Sequence, residues 1–236
     1  MSSIIPDRKL FIVTSALNAT LGFITPEQRL TQTIQGLKTI RELVPESIVL
    51  FVDGSPRKVE EEKIHAISDL VDFVADFSSD EVVASFAQRQ MKSEAENALL
   101  LKTLMLLKQE ANMMKMMHSV NRIFKISGRT DLLNNFNPYE HDKWGKYVFK
   151  KRIPTWIQEE KSKFFTDLLI TRMFSFCPSL IDDYIIMCKR NLGVIPEAGV
   201  DTEHAHFFNM NQDILVELEK IHCQGIVATT KTLEVY

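Results

Sequence analysis

Short, nearly continuous apolar runs that end abruptly in polar residues constrain this chain more than any other feature. The runs 9-KLFIVTSAL-17, 47-SIVLFVDGS-55 and the opening of 122-RIFKISGRTDLLNNF-136 all have this form. A short apolar run bounded by turn residues is the pattern of a strand covered on both faces. Between the first two lies a helix. Thr25 is its cap, Pro26 stands in the first turn and Gln28 follows three residues after the cap, a capping-box arrangement. Leu30, Ile34, Leu37, Arg41 and Val44 share one face of it, apolar except for Arg41, and Pro45 ends it. Strand and helix in alternation predict a layered α/β fold, a mostly parallel sheet flanked by helices.

Further along, residues 59–77 predict another helix and a weak strand, and a long Leu- and Met-rich helix is expected over 93–120. Its methionines (Met105, Met113, Met114, Met116, Met117) read as core filling, which Met at helical spacing usually is. After Phe136 the periodicity weakens. Residues 137–163 read as loops and short pieces, and the basic run 148-VFKKR-152 as a solvated face. Helices are expected near 165–176, 179–191 and 211–221, with a last short strand at 224-QGIVATT-230. Without a repeat or a low-complexity linker, one domain over 1–236 is expected, with a helical C-terminal part.

The charge balance, 28 Lys and Arg against 31 Asp and Glu for a net charge of −3, offers no electrostatic grip on nucleic acid. Cys177, Cys188 and Cys223 are odd in number, widely spaced and outside any CxxC, so neither a disulfide framework nor structural zinc is expected. No run approaches the roughly 20 apolar residues that span a bilayer, and a cytoplasmic protein with no transmembrane segment is the expectation.

In an open α/β sheet, ligands bind where strands end and the backbone aims polar groups into a crevice. Here those ends are Thr14-Ser15, Asp53-Gly54-Ser55 and the stretch Ser127 to Asp131. If the three strands are parallel, their ends share one rim. The chain has no GxGxxG, no GxxxxGK[ST], no GxSxG and no HExxH, which removes the usual signatures of dinucleotide and P-loop binding, serine hydrolysis and zinc proteolysis.

The segments 12-IVTSALNA-19, 25-TPEQRLTQTIQGLKTIRELVP-45, 48-IVLFVDGS-55, 124-FKISGRTDL-132 and 203-EHAHFF-208, in that order, resemble the GT-A glycosyltransferases, a Rossmann-related fold. The resemblance extends to bacterial and viral polysaccharide glycosyltransferase-like proteins. It implies transfer of a sugar from a nucleoside-diphosphate sugar donor to a glycan or small-molecule acceptor. Residues 1–136 would then form the nucleotide-sugar-binding half and 137–236 the acceptor-side half.

On matching positions, the resemblance implies Thr14, Ser15, Asp53 and Ser55 as holders of the base and ribose. Gly128 would leave room for the diphosphate, with Lys125 and Arg129 beside it. The family's Asp-x-Asp motif, which binds a divalent ion, has one acid here, Asp131. Mn²⁺ or Mg²⁺ would be held by Asp131, with His206 as a further ligand, or else Arg129 and Lys125 would neutralise the diphosphate with no metal. Structurally, Asp131 is as readily a turn cap and Arg129 an ion-pair partner.

Glu203 matches the catalytic base that deprotonates the acceptor hydroxyl, and a working base there favours inversion of the anomeric centre. On a helix Glu203 and His206 share a face; on a strand His204 and His206 do. Glu203 as a helix-start acid and His206 as a core histidine are the bland readings. Two other classes compete. One is a nucleotide-sugar- or glycan-binding module without activity, favoured by the single Asp; the other is a small-molecule methyltransferase, disfavoured because no Gly-rich loop follows the first strand.

Overall fold

A computed structural model of the chain describes residues 7–19, 23–157, 163–226 and 232–236. Its strands are β1 (Arg8–Ser15), β2 (Ile48–Asp53), β3 (Phe73–Asp76), β4 (Val120–Ser127), β5 (Thr130–Leu132) and β6 (Tyr147–Lys150), followed by β7 (Ile153–Pro154), β8 (Asp167–Leu168), β9 (Met173–Phe176), β10 (Leu215–Leu218), β11 (Cys223–Ile226) and β12 (Leu233–Val235). The helices are α1 (Pro26–Leu43), α2 (Glu61–Ile67), α3 (Glu81–Gln88), α4 (Lys92–Gln109), α5 (Ala111–Met117), α6 (Ile181–Ala198) and α7 (Thr202–Asn209).

The central sheet has seven strands in the order β10-β6-β9-β4-β1-β2-β3. β3, β2, β1 and β4 pair in parallel, as do β6 and β10, while β9 runs antiparallel to both β4 and β6. Both faces are covered, which explains the continuous apolar runs. Leu10 and Ile12 of β1 point into the core shared with α4 and α6, whereas Phe11 and Val13 point into the core shared with α1. Phe11 stacks on Phe124 of β4 with ring centroids 4.7 Å apart. Burying such a side chain contributes about 1.5–3 kcal/mol. A mixed α/β architecture with a mostly parallel central sheet is therefore what the strand-end pattern produces.

The cap of α1 is as expected, with Thr25 Oγ1 accepting from Gln28 N and Gln28 Oε1 accepting from Thr25 N. Of the anticipated face, Leu37 and Val44 are buried and Leu30 and Ile34 pack against the same core, while the buried stripe also takes in Arg29, Thr33, Gly36 and Ile40. Gly36 runs so close to Thr130 that a Cβ there would lie 2.6 Å from the Thr130 carbonyl oxygen.

Three expected elements differ. The long helix breaks at Glu110, which is extended and caps α5 with its carboxylate, accepting from Asn112 N and Met113 N. Only Met113 of the methionine group is buried; Met114 is exposed, and Met116 and Met117 pack against the core. Residues 165–176 form β8 and β9 in place of a helix, and 211–221 form a 3-10 turn and β10 in place of another. Short apolar runs buried on both faces carry no period that separates strand from helix. The C-terminal part accordingly adds β6, β9 and β10 to the sheet alongside α6 and α7.

The basic run is only partly solvated. Arg152 makes a forked contact with Glu217, and Lys151 pairs with Glu219. The expected strand at 224–230 begins as β11, and 227–230 lie outside the described residues. Cys177, Cys188 and Cys223 are free and buried. Among the described residues, no helix is long and apolar enough to cross a membrane.

Candidate active site

The parallel pairing brings the polar strand ends to one rim. Ser15 sits in register with Asp53, and Thr14 with Ser127. Backbone hydrogen bonds tie the ends together: Gly54 N donates to Ser15 O at 2.9 Å and Gly128 N to Thr14 O at 2.7 Å. Above them opens a cleft of about 410 Å³, floored by Thr14, Ser15, Gly54, Ser127 and Gly128 and walled by the first turns of α4. The two glycines keep that floor open. A Cβ on Gly128 would lie 3.3 Å from Ser15 Cβ, Thr14 O and Thr33 Oγ1, and one on Gly54 3.1 Å from the Leu99 side chain.

Among the described residues, the charged ones lining the cleft are Arg29, Lys92, Arg129 and Glu96, three cations against one acid. The acid is committed elsewhere. Glu96 Oε1 accepts from Lys125 Nζ at 2.5 Å, and Lys125 is fully buried. Burial works against ionisation of Glu96, but Lys125 and Lys92 outweigh it and hold the carboxyl below its ordinary range. Arg129 is pushed down to about 10, by burial first and then by Arg29 and Arg172. At that value it stays charged at neutral pH. Its Nη1 is buried without a hydrogen-bond partner. Apart from Gln90, the remaining wall is mostly apolar, with Phe23, Pro56, Met91 and Leu99.

A buried polar chain runs from the cleft to α7. Lys125 Nζ donates to Thr171 O at 2.8 Å, and Thr171 Oγ1 donates to Glu203 Oε1 at 2.9 Å. The carboxyl of Glu203 is raised above its ordinary range by burial, and further by Glu96 and Asp201. Two acids on one network are thus driven apart, Glu96 toward ionisation and Glu203 toward holding its proton.

Thr14, Ser15, Gly128 and Arg129 therefore come together at the cleft, and Lys125 stands beneath it. Asp53 and Ser55 do not line it. Asp53 is fully buried, its carboxylate accepting from Leu17 N at 2.9 Å and Ser55 N at 2.8 Å, while Ser55 Oγ accepts from Asn18 N at 2.8 Å. They shape the loop after β1, and no oxygen of Asp53 faces the cleft.

The expected metal ligands are separated. Asp131 lies in β5 opposite Gln224 of β11, bonded to that side chain, and does not line the cleft. α7 is a helix, so Glu203 and His206 belong to the helical alternative. His206 is nevertheless a core residue, with Nδ1–H donating to Thr202 O at 2.9 Å and Nε2 accepting from Tyr184 Oη at 3.1 Å. Both ring nitrogens are used. Among the described residues no group of three or more His, Cys, Asp or Glu comes together, so the residues present do not fit a divalent ion held by Asp131 and His206.

Arg29, Lys92 and Glu96 were not anticipated from the sequence. They come from helices beside the rim, and Lys92 and Glu96, four apart, read as an ordinary solvated helix pair.

No family model and no curated protein sequence matches the chain. Solved structures do resemble it. The galactosyltransferase LgtC, in complex with donor and acceptor sugar analogues, superposes with a TM-score of 0.52 at 8% identity, over 89% of this chain and 73% of that one. The mannosyltransferase Ktr4p of S. cerevisiae in complex with GDP gives 0.50 at 10% identity over 86% of this chain, and without that ligand 0.50 at 9% over 85%. This chain spans 66% and 65% of those two chains' own length. At such identities the likeness concerns architecture, and in architecture this chain has the GT-A fold of the glycosyltransferases.

Proposed function

We propose that the protein is a glycosyltransferase that binds a nucleoside-diphosphate sugar in the rim cleft and transfers the sugar to a glycan or small-molecule acceptor. One observation carries this reading. The cleft over the ends of β1, β2 and β4 combines an apolar wall with three cations and a glycine floor, the chemistry that a base, a diphosphate and a close backbone approach require. The GT-A architecture supports it, with the ligand at the strand ends.

In this reading Thr14 and Ser15 meet the nucleoside, and Gly128 and Arg129 meet the diphosphate. As the leaving diphosphate gains negative charge, the Arg129 fork and Arg29 stabilise it from positions fixed beforehand. Glu203 is the general base toward the acceptor hydroxyl. A carboxyl raised by burial is a stronger base, closer to its working pH than an exposed one. Thr171 orients it, and Lys125 and Glu96 secure the strand end. Direct displacement by the activated hydroxyl gives inversion.

The test is turnover. Purified protein incubated with a panel of nucleotide sugars, with and without simple sugar acceptors, should release a nucleoside diphosphate from at least one donor, and Glu203→Gln should release far less. Tight binding of a nucleotide sugar with no release under any condition would favour a binding module.

A further inference from the structure

The Ser127-Gly128-Arg129 strand end lines the cleft with an arginine where a carboxylate would be needed to hold an ion. We infer that the cleft neutralises its diphosphate with Arg129, supported by Arg29, and uses no divalent cation. This rests on the donor-site reading above.

The donor set argues for it from two sides. The one cleft acid among the described residues, Glu96, already accepts from the Lys125 ammonium, so an ion coordinated there would sit beside a fixed positive charge. Asp131 and His206 are turned to β11 and to the core. Conversely, Nη1 of Arg129 is buried and lacks a partner. A buried charged donor without an acceptor is costly, and a phosphate oxygen is the acceptor its planar fork matches.

The backbone that carries Arg129 is closely packed. A Cβ on Gly225 would lie 2.9 Å from Arg129 O and 2.6 Å from Arg172 Nη1, so the β11 backbone presses on both residues. Arg172 is fixed in turn, with Nε donating to Tyr236 Oη at 3.1 Å and its guanidinium 5.3 Å from the Tyr236 ring centroid. Arg29 and Arg172 both act on Arg129, and their charges repel its own. A dianionic ligand relieves that repulsion; a divalent cation would add to it.

The experiment is calorimetric titration of UDP and GDP, in EDTA and again in excess Mn²⁺, into wild type, Arg129→Gln and Arg129→Lys. At least one nucleotide should bind in EDTA, with Mn²⁺ changing its affinity by less than about threefold. Arg129→Gln should weaken it about 100-fold, as expected when one partner of a buried charged contact is removed, and Arg129→Lys by less. If Arg129→Gln does not fold, Arg129→Lys and Arg29→Gln carry the comparison. Binding that appears only with Mn²⁺ would overturn the metal-free site and leave the donor reading standing. Binding of neither nucleotide in either condition would take down both.

Discussion

Lys125 Nζ lies 2.5 Å from Glu96 Oε1, a contact that joins a fully buried cation on β4 to the acid that faces the cleft. The ammonium also donates to Thr171 O and lies 3.3 Å from Ser127 Oγ, so a single group ties together the strand end, the cleft wall and the residue that orients Glu203. Its function is organisational, since no part of Lys125 lines the cleft.

Removing half of this pair should be expensive. Lys125→Met leaves Glu96 without its cation and is expected to cost on the order of 3 kcal/mol in urea denaturation. The double variant Lys125→Met/Glu96→Gln should recover at least half of that loss. A single-variant cost near zero would mean that the contact is not made.

Gly36→Ala should destabilise the protein although alanine is the better helix former by about 1 kcal/mol. The added Cβ would meet the Thr130 carbonyl oxygen at 2.6 Å, and backbone against backbone cannot yield as a flexible side chain does. A net loss of about 1–3 kcal/mol is expected. Thermal denaturation with an unchanged or raised Tm would contradict the close approach of α1 to the β4–β5 turn.

His206 sets a pH dependence of stability. Burial, with Lys125 adding to it, holds the folded-state pKa down to about 4, while the Thr202 carbonyl and Glu96 pull it up. The unfolded chain takes up this proton near the ordinary histidine value of about 6.5. The contribution is therefore fully present above about 6.5 and is lost as pH falls through the interval down to about 4, a total on the order of 3 kcal/mol. His141, pushed down to about 3 chiefly by burial, adds in the same direction. Urea midpoints should rise with pH between about 4 and 6.5 in wild type, with a slope smaller by about one proton in His206→Phe. Equal slopes would refute the buried neutral imidazole.

Glu203→Gln should lower kcat by about 100-fold or more with the donor KM little changed, the effect of removing a base that acts on the acceptor. In the proposed mechanism, activity requires the ionised carboxylate. Because burial raises that carboxyl, the acid limb of the pH–rate profile should lie above the ordinary glutamate value of about 4.3. A limb at or below that value would remove Glu203 from the role.

The strand ends were the most legible part of this chain. Continuous apolar runs under two layers of helix leave the pattern seen at 10–13, 48–52 and 123–126, and the turn residues after each run mark the rim. β9 was hidden for the same reason: four buried residues, Met173 to Phe176, carry no period. Positions at the cleft were legible where the strand itself delivers them, as with Thr14, Gly128 and Arg129. They were not legible where a helix beside the sheet does, as with Glu96 and Arg29, because those depend on packing between distant segments. Asp53 shows the converse: an acid at a strand end, turned inward to hold Leu17 N and Ser55 N.

Whether the rim cleft is the nucleotide site is decided by a steric block. Ala95 lines the cleft from α4, and Ala95→Trp fills it while keeping a residue that a helix tolerates. Calorimetric titration with a panel of nucleoside diphosphates should give binding of at least one to wild type and none to the folded variant at the same concentrations. Undiminished binding to a folded Ala95→Trp protein, or no binding of any nucleotide to wild type, would contradict the assignment.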